Sequence, residues 1–199
     1  IQVKPDIGLG FSDVLRSIVR QDPDIIMIGE MRDVETAEIA VQSALTGHLV
    51  LSTLHTNDAA SGLVRLLDMG VDDFLLASTV NGVIAQRLVR KLCTECRERY
   101  QPNDLLLIDA SSLTEPLYFY SPNGCDKCDG TGYHGRLAIM ELLIVTERVK
   151  EQLMARVTAS VLTSAAVEEG MVPIINDGLL KVRHGLTSLE EVLRVTRRH

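Results

Sequence analysis

The sequence predicts an α/β protein: parallel strands covered by helices, then a four-cysteine module, then a strand with a small helical end. Three observations predict it. Two short apolar runs, at residues 25–28 and 48–55, alternate with stretches of helical period. All four cysteines fall into two Cys-x-x-Cys pairs. Beyond residue 136 the chain reads as one strand followed by short amphipathic helices. These shifts mark three blocks, 1–92, 93–135 and 136–199.

The elements follow in order. "FSDVLRSIVRQ" (11–21) places apolar residues at 11, 14, 15, 18 and 19, one helical stripe that Pro23 ends. The uninterrupted run 25–28 reads as a strand buried on both faces, as in a parallel sheet. "DVETAEIAVQSALTG" (33–47) is a helix with Asp33 as N-cap and Gly47 as stop. "HLVLSTLH" (48–55) is a second buried strand, and a helix runs from Asn57 to Met69 with Gly70 closing it. Helix, strand, helix, strand, helix is the rhythm of a parallel sheet. The block 93–135 is rich in Cys, Pro, Gly, Ser and Asp. A strand is expected at 136–145 and helices at 147–156, 159–169, 174–184 and 189–196. "TSLE" before the last one predicts a capping box of Thr187 and Glu190.

Composition removes several function classes. Of 199 residues 46% are apolar and 24% charged, with net charge −7, so a nonspecific grip on nucleic acid or on an anionic membrane is not expected. The longest apolar candidate, 74–92, is broken by Asn81, Gln86, Arg87 and Arg90, and no direct membrane insertion is expected. Residues 1–10 lack the basic-then-apolar pattern of a leader. A soluble, cytoplasmic protein is the expectation. The first residue is Ile, without a cap or turn signal, which predicts a piece of something longer.

Cysteine spacing is the strongest signal. Cys93-x-x-Cys96 and Cys125-x-x-Cys128 are separated by the 28 residues 97–124. Two such knuckles present four thiolates on tight turns, which suits structural Zn²⁺ with four sulfurs at about 2.3 Å and no open position. Disulfides are the rival, disfavoured in a reducing compartment. A redox dithiol would use one pair at a helix start rather than two paired knuckles. The following "GTGYHG" matches G-x-G-x-x-G at Gly130, Gly132 and Gly135, yet no strand precedes it and no helix opens from it. Glycines turning the backbone out of the knuckle explain it better, with His134 a surface residue.

The run "DPDIIMIGEMRD" ends by presenting Glu30. Ligands of open α/β sheets sit at the carboxyl ends of the strands. On this strand alone, a carboxylate that orders attacking water and an acid that precedes a helix fit equally well. The second strand tips the balance, because "STLHTND" brings Ser52, Thr53, His55 and Thr56 to its own carboxyl end. A lone His there is usually a satisfied structural residue, but two polar strand ends in one sheet make a site. A P-loop requires G-x-x-x-x-G-K-[ST], and the chain contains no Gly-Lys pair. Glu30 is therefore read as half of an apparatus.

The segment from "LRSIVRQDPDIIMIGEMRD" through "HLVLSTLHTNDA" resembles the Walker B and His-box region of secretion and pilus traffic ATPases. The cysteine pairs, "GYHGRLAIMELL" and "DGLLKVRHGLTSLEEVLRV" resemble the type II secretion branch, with the pilus-assembly branch as nearest rival. The resemblance implies a partial RecA-like core in 1–92, closed by "AQRLVRKLC", the zinc module in 93–135 and a helical domain in 136–199. It implies Glu30 as the water-polarising Walker B glutamate and His55 as the His-box residue near the γ-phosphate. Gly29, Arg32 and Thr53 would border the nucleotide, with Gly29 at the usual Walker B aspartate position, so that Mg²⁺ is held mainly from elsewhere. Cys93, Cys96, Cys125 and Cys128 would hold zinc. The implied cofactors are Zn²⁺ and, in a full-length parent, Mg-ATP. The implied partners are copies of the protein in a hexameric ring and inner-membrane secretion platform proteins. "IQVKPDIGLGF" resembles the segment just after the family's Asp box, so the P-loop would lie upstream and the chain alone would be inactive. A non-catalytic zinc-bearing assembly module is the competing reading for the isolated chain.

Overall fold

Residues 11–101 and 118–196 are described by the computed structural model. The opening stretch 1–10 and the middle of the cysteine-rich block, 102–117, lie outside the described residues. Packing divides the chain into two compact units, Ile1–Val83 with Leu143–Met171 and Ile84–Leu142 with Val172–His199. Each unit gathers segments distant in sequence.

In the first unit, strand β1 (Ile25–Ile28) pairs in parallel with β2 (Leu49–Ser52), from Ile25 opposite Leu49 to Ile28 opposite Ser52. Helices α1 (Phe11–Val19) and α2 (Val34–Leu45) pack on each other. Leu15, Ile26, Ile28 and Ala40 form one buried cluster, with Val50 and Ile39 against it. Asp33 caps α2 by accepting from Thr36 N–H at 2.8 Å, which stabilises a helix start by about 1 kcal/mol. The expectation of strands buried on both faces is corrected here. Ile25, Met27, Leu49 and Leu51 all point to the other face and stay between 48% and 65% exposed. A continuous apolar run does not distinguish one covered face from two; period 2 sends alternate residues to opposite sides.

Helices α3 (Ala59–Asp68) and α4 (Asp73–Thr79) complete the first unit with α5 (Glu147–Met154) and α6 (Ala159–Glu168). α3 packs on α6 and α4 on α5, burying Leu63, Leu76, Leu153 and Leu162 completely. Asp58, not Asn57, begins α3, accepting from Ser61 N–H at 2.8 Å.

In the second unit, the long strand β3 (Gly82–Leu92) pairs with β6 (Tyr133–Ile144), and short β4 (Glu98–Tyr100) runs antiparallel to β5 (Phe119–Ser121). Val89, Phe119 and Ile139 form a core with Val182 and Val192 from α7 (Ile174–Arg183) and α8 (Leu189–Thr196). Strand β6 bolts α7 in place through polar bonds. The Glu141 carboxylate accepts from Ile174 N–H at 2.9 Å, Asp177 accepts from Met140 N–H at 2.7 Å, and Lys181 donates to the Ala138 carbonyl at 2.8 Å. The cap sits one residue later than expected and is one-sided, because the Glu191 carboxylate is held by Arg90 and Arg194. Ser188 accepts from Glu191 N–H at 3.3 Å, while Thr187 donates to the Arg90 carbonyl at 2.8 Å. No described helix is long and apolar enough to cross a membrane.

Candidate functional site

Parallel pairing brings the carboxyl ends of β1 and β2 side by side, so the residues just past them meet. The ladder continues beyond the strands: Met31 N–H donates to the Thr53 carbonyl at 3.1 Å. The Thr53 hydroxyl donates to the Gly29 carbonyl at 2.5 Å. Its hydrogen is thereby committed to joining the two loops. Glu30 sits between them. One carboxylate oxygen meets Arg32 in an ion pair; the other lies 3.0 Å from His55 Nε2. All five residues singled out by sequence, Gly29, Glu30, Arg32, Thr53 and His55, thus lie in one cluster. Ser52, also noted in the sequence, keeps its hydroxyl buried and without a hydrogen-bond partner.

The Arg32 hydrogen bond, foremost, holds the Glu30 carboxyl below its ordinary range, with His55 adding to it against the opposing effect of burial. Glu30 is ionised at neutral pH and can only accept hydrogen bonds. The proton at the His55 contact is therefore on Nε2, which leaves Nδ1 facing solvent. Glu30 is 29% exposed, whereas Arg32 and His55 are 76% and 89% exposed. The carboxylate is seated while both partners stand in water. A seated carboxylate next to an imidazole can order a water and accept its proton as the water attacks.

The second cluster lies in the other unit. Cys93, Cys96, Cys125 and Cys128 bring four sulfurs within 4.8 Å of one another. Sγ–Sγ separations are 3.8 Å for Cys93–Cys125, 3.8 Å for Cys96–Cys128 and 3.7 Å for Cys125–Cys128. Disulfides require about 2.05 Å, and all four thiols are free. Four sulfurs at about 2.3 Å from a central ion would lie about 3.8 Å apart in a tetrahedron. The donor set fits a four-thiolate metal site.

One sulfur of the knuckles, that of Cys128, is placed to carry charge. Cys128 Sγ accepts from Cys125 N–H at 3.2 Å and Gly132 N–H at 3.1 Å. Burial works against its thiolate, but those two donors, together with the Cys125 and Cys96 thiols, outweigh it and bring the thiol down to about 6. Burial and neighbouring thiols push Cys125 up to about 12. Gly132 adopts φ +74°, and a Cβ there would overlap Pro122, so only glycine brings this N–H to the sulfur. The sequence marked Gly132 as a turning residue and missed its role as a donor. His134 is exposed on β6 and is not part of the four-sulfur cluster.

Comparison with known proteins gives the family. The family described as "Type II/IV secretion system protein" matches residues 1–194. The chain belongs to this family. It is 54% identical over 200 residues to type II secretion system protein E of Xanthomonas campestris, covering 98% of this chain and 35% of that protein. It is 48% identical over 198 residues to type II secretion system ATPase E of Vibrio cholerae, covering 98% and 39%. It is 47% identical over 200 residues to type IV pilus assembly ATPase PilB of Pseudomonas aeruginosa, covering 99% and 35%. The chain therefore spans little more than a third of the length of these relatives. Among solved structures, the pilus retraction motor PilT with bound ADP matches at TM-score 0.67 and 26% identity, over 95% of this chain and 44% of that one. The mixed helix-and-sheet fold is that of this motor, and the resemblance to type II secretion proteins read from the sequence holds.

Proposed function

We propose that the chain is the C-terminal part of a hexameric ATPase that powers type II protein secretion. One observation carries the reading: the ends of two paired parallel strands converge on a single seated carboxylate, Glu30, which His55 contacts at 3.0 Å. That is where an open α/β sheet places its ligand. Glu30 acts as the Walker B glutamate of a RecA-like core, ordering and deprotonating the water that attacks the γ-phosphate. His55 orients that carboxylate and faces the phosphate with its other ring nitrogen. The P-loop lies in the longer protein, upstream of this segment, and cradles Mg-ATP there. Cys93, Cys96, Cys125 and Cys128 hold a structural Zn²⁺, which supplies rigidity rather than chemistry. The ring docks on inner-membrane platform proteins from the cytoplasmic side.

A type IV pilus-assembly ATPase is the second reading, favoured by relatives of both kinds at similar identity. Titrating Mg-ATP by calorimetry, with phosphate release assayed in parallel, tests the hydrolytic reading. The full-length protein binds and turns over; the 199-residue chain alone does neither. Turnover by the chain alone would contradict the half-site. Inactivating the protein in its host separates the two readings: loss of export supports secretion, and loss of pili supports the second.

A further inference from the structure

Glu30 is held in a way that works against its use as a base. The Arg32 guanidinium takes one carboxylate oxygen and His55 Nε2 the other. A carboxylate paired with a cation accepts a proton poorly. Charged and titratable side chains shown facing Glu30 are Arg32, from its own loop, and His55, from the loop after β2. The neighbouring Asp33 carboxylate is turned to the Thr36 N–H at 2.8 Å.

The backbone on either side of Arg32 is pinned. Met31 N–H donates to the Thr53 carbonyl, and Asp33 caps α2. The Arg32 side chain itself is 76% exposed, and among the described residues its ion pair is with Glu30 through its head. A fixed backbone with a free cationic arm can exchange partners without moving the loop. Ion pairs at such exposure are weak, whereas a phosphoryl group offers guanidinium two charge-assisted oxygens at once.

We propose that Arg32 is a latch on Glu30, released when a nucleotide phosphate takes the guanidinium, so that the base is freed only with substrate in place. This rests on the hydrolytic reading above. Arg32 is thus a positioning residue, acting on the chemistry through Glu30. The latch suppresses futile proton chemistry in the empty site and makes the basicity of Glu30 depend on occupancy.

The test is the pH profile of ATP hydrolysis by the full-length protein, wild type against Arg32→Gln and Arg32→Lys, with Glu30→Gln as reference. The acid limb of kcat/KM reports the free enzyme and that of kcat the substrate complex. Arg32→Gln is expected to move the kcat/KM limb to higher pH, because the free Glu30 loses its cation, and to leave the kcat limb in place. KM for ATP rises several-fold; Arg32→Lys restores the kcat/KM limb, which needs only a cation beside Glu30, and little of the KM, which needs the two-pronged head. If both limbs move together, Arg32 stays on Glu30 in the complex and the latch is overturned. If neither moves, the ion pair has no part in the reaction and the latch is equally overturned. Normal turnover in Glu30→Gln would overturn the hydrolytic reading itself, an outcome distinct from either.

Discussion

His55 and Glu30, 25 positions apart in sequence, meet at 3.0 Å because β1 and β2 run parallel and in register. The imidazole donates to an ionised carboxylate, which fixes both its tautomer and the direction of Glu30. Replacing His55 with Ala leaves Glu30 to Arg32 alone. Turnover of the full-length protein is expected to fall by about ten- to a hundredfold, within the range for losing an acid–base partner. Mg-ATP affinity should change little. Unchanged kcat would show that the contact is ornamental.

Metal removal makes a regional prediction. Leu92 N–H donates to the Leu186 carbonyl at 2.9 Å, Cys93 N–H to the Gly132 carbonyl at 2.9 Å, and Arg97 to the Gly185 carbonyl. The cysteine knuckles are therefore sewn to the turn between α7 and α8. Cys96→Ser, or a strong chelator, should release the metal and loosen these bonds, because metal affinity and local folding are one free energy. Hydrogen exchange should speed up at Leu92 and Cys93 and stay slow at Ile26 and Ile28. Uniform loss of protection would contradict a separable metal module.

Glu191 supplies the pH dependence of the second unit. Its carboxylate is 1% exposed and accepts from Arg194, from the Arg90 guanidinium at 2.7 Å and from Arg90 N–H at 2.9 Å. Arg194 first, then Arg90, overcome the opposing effect of burial and hold it down to about 2, from an ordinary 4.5. A carboxyl depressed on folding stabilises above its unfolded value and loses that contribution as pH falls through the folded one. Stability should therefore decline between about pH 5 and pH 2, by about 3 kcal/mol from this group. Glu191→Gln should lower stability at pH 7 by a similar amount and flatten the decline. Denaturant melts across that range check it; an unchanged slope in the variant would assign the acid loss elsewhere.

Both clusters were legible in the sequence because local patterns carry them. An apolar run ending in Glu30, a second ending in Thr53 and His55, and two Cys-x-x-Cys pairs each fit within ten residues. What escaped was set by distant partners. Strand β3 hid behind Gln86, Arg87, Arg90 and Lys91, because only Ala85, Val89 and Leu92 are buried along it. Its partner β6 begins some forty residues later, beyond the reach of periodicity. Strands β4 and β5 have three residues each, too few to show alternation. "TSLE" and "SLEE" both satisfy the capping pattern, and the choice of Ser188 follows from Thr187 being drawn to Arg90. The open apolar face of β1 and β2 could not be read from a run that is apolar throughout.

The proposed role of Glu30 is to activate water. The most direct measurement is Mg-ATP binding and phosphate release by the full-length protein carrying Glu30→Gln. Glutamine keeps the shape and the His55 contact but cannot accept the proton. Near-normal binding is expected, with turnover reduced by about a hundredfold or more. Normal turnover with normal binding would contradict that role, and the seated carboxylate at the strand ends would then be a structural acid.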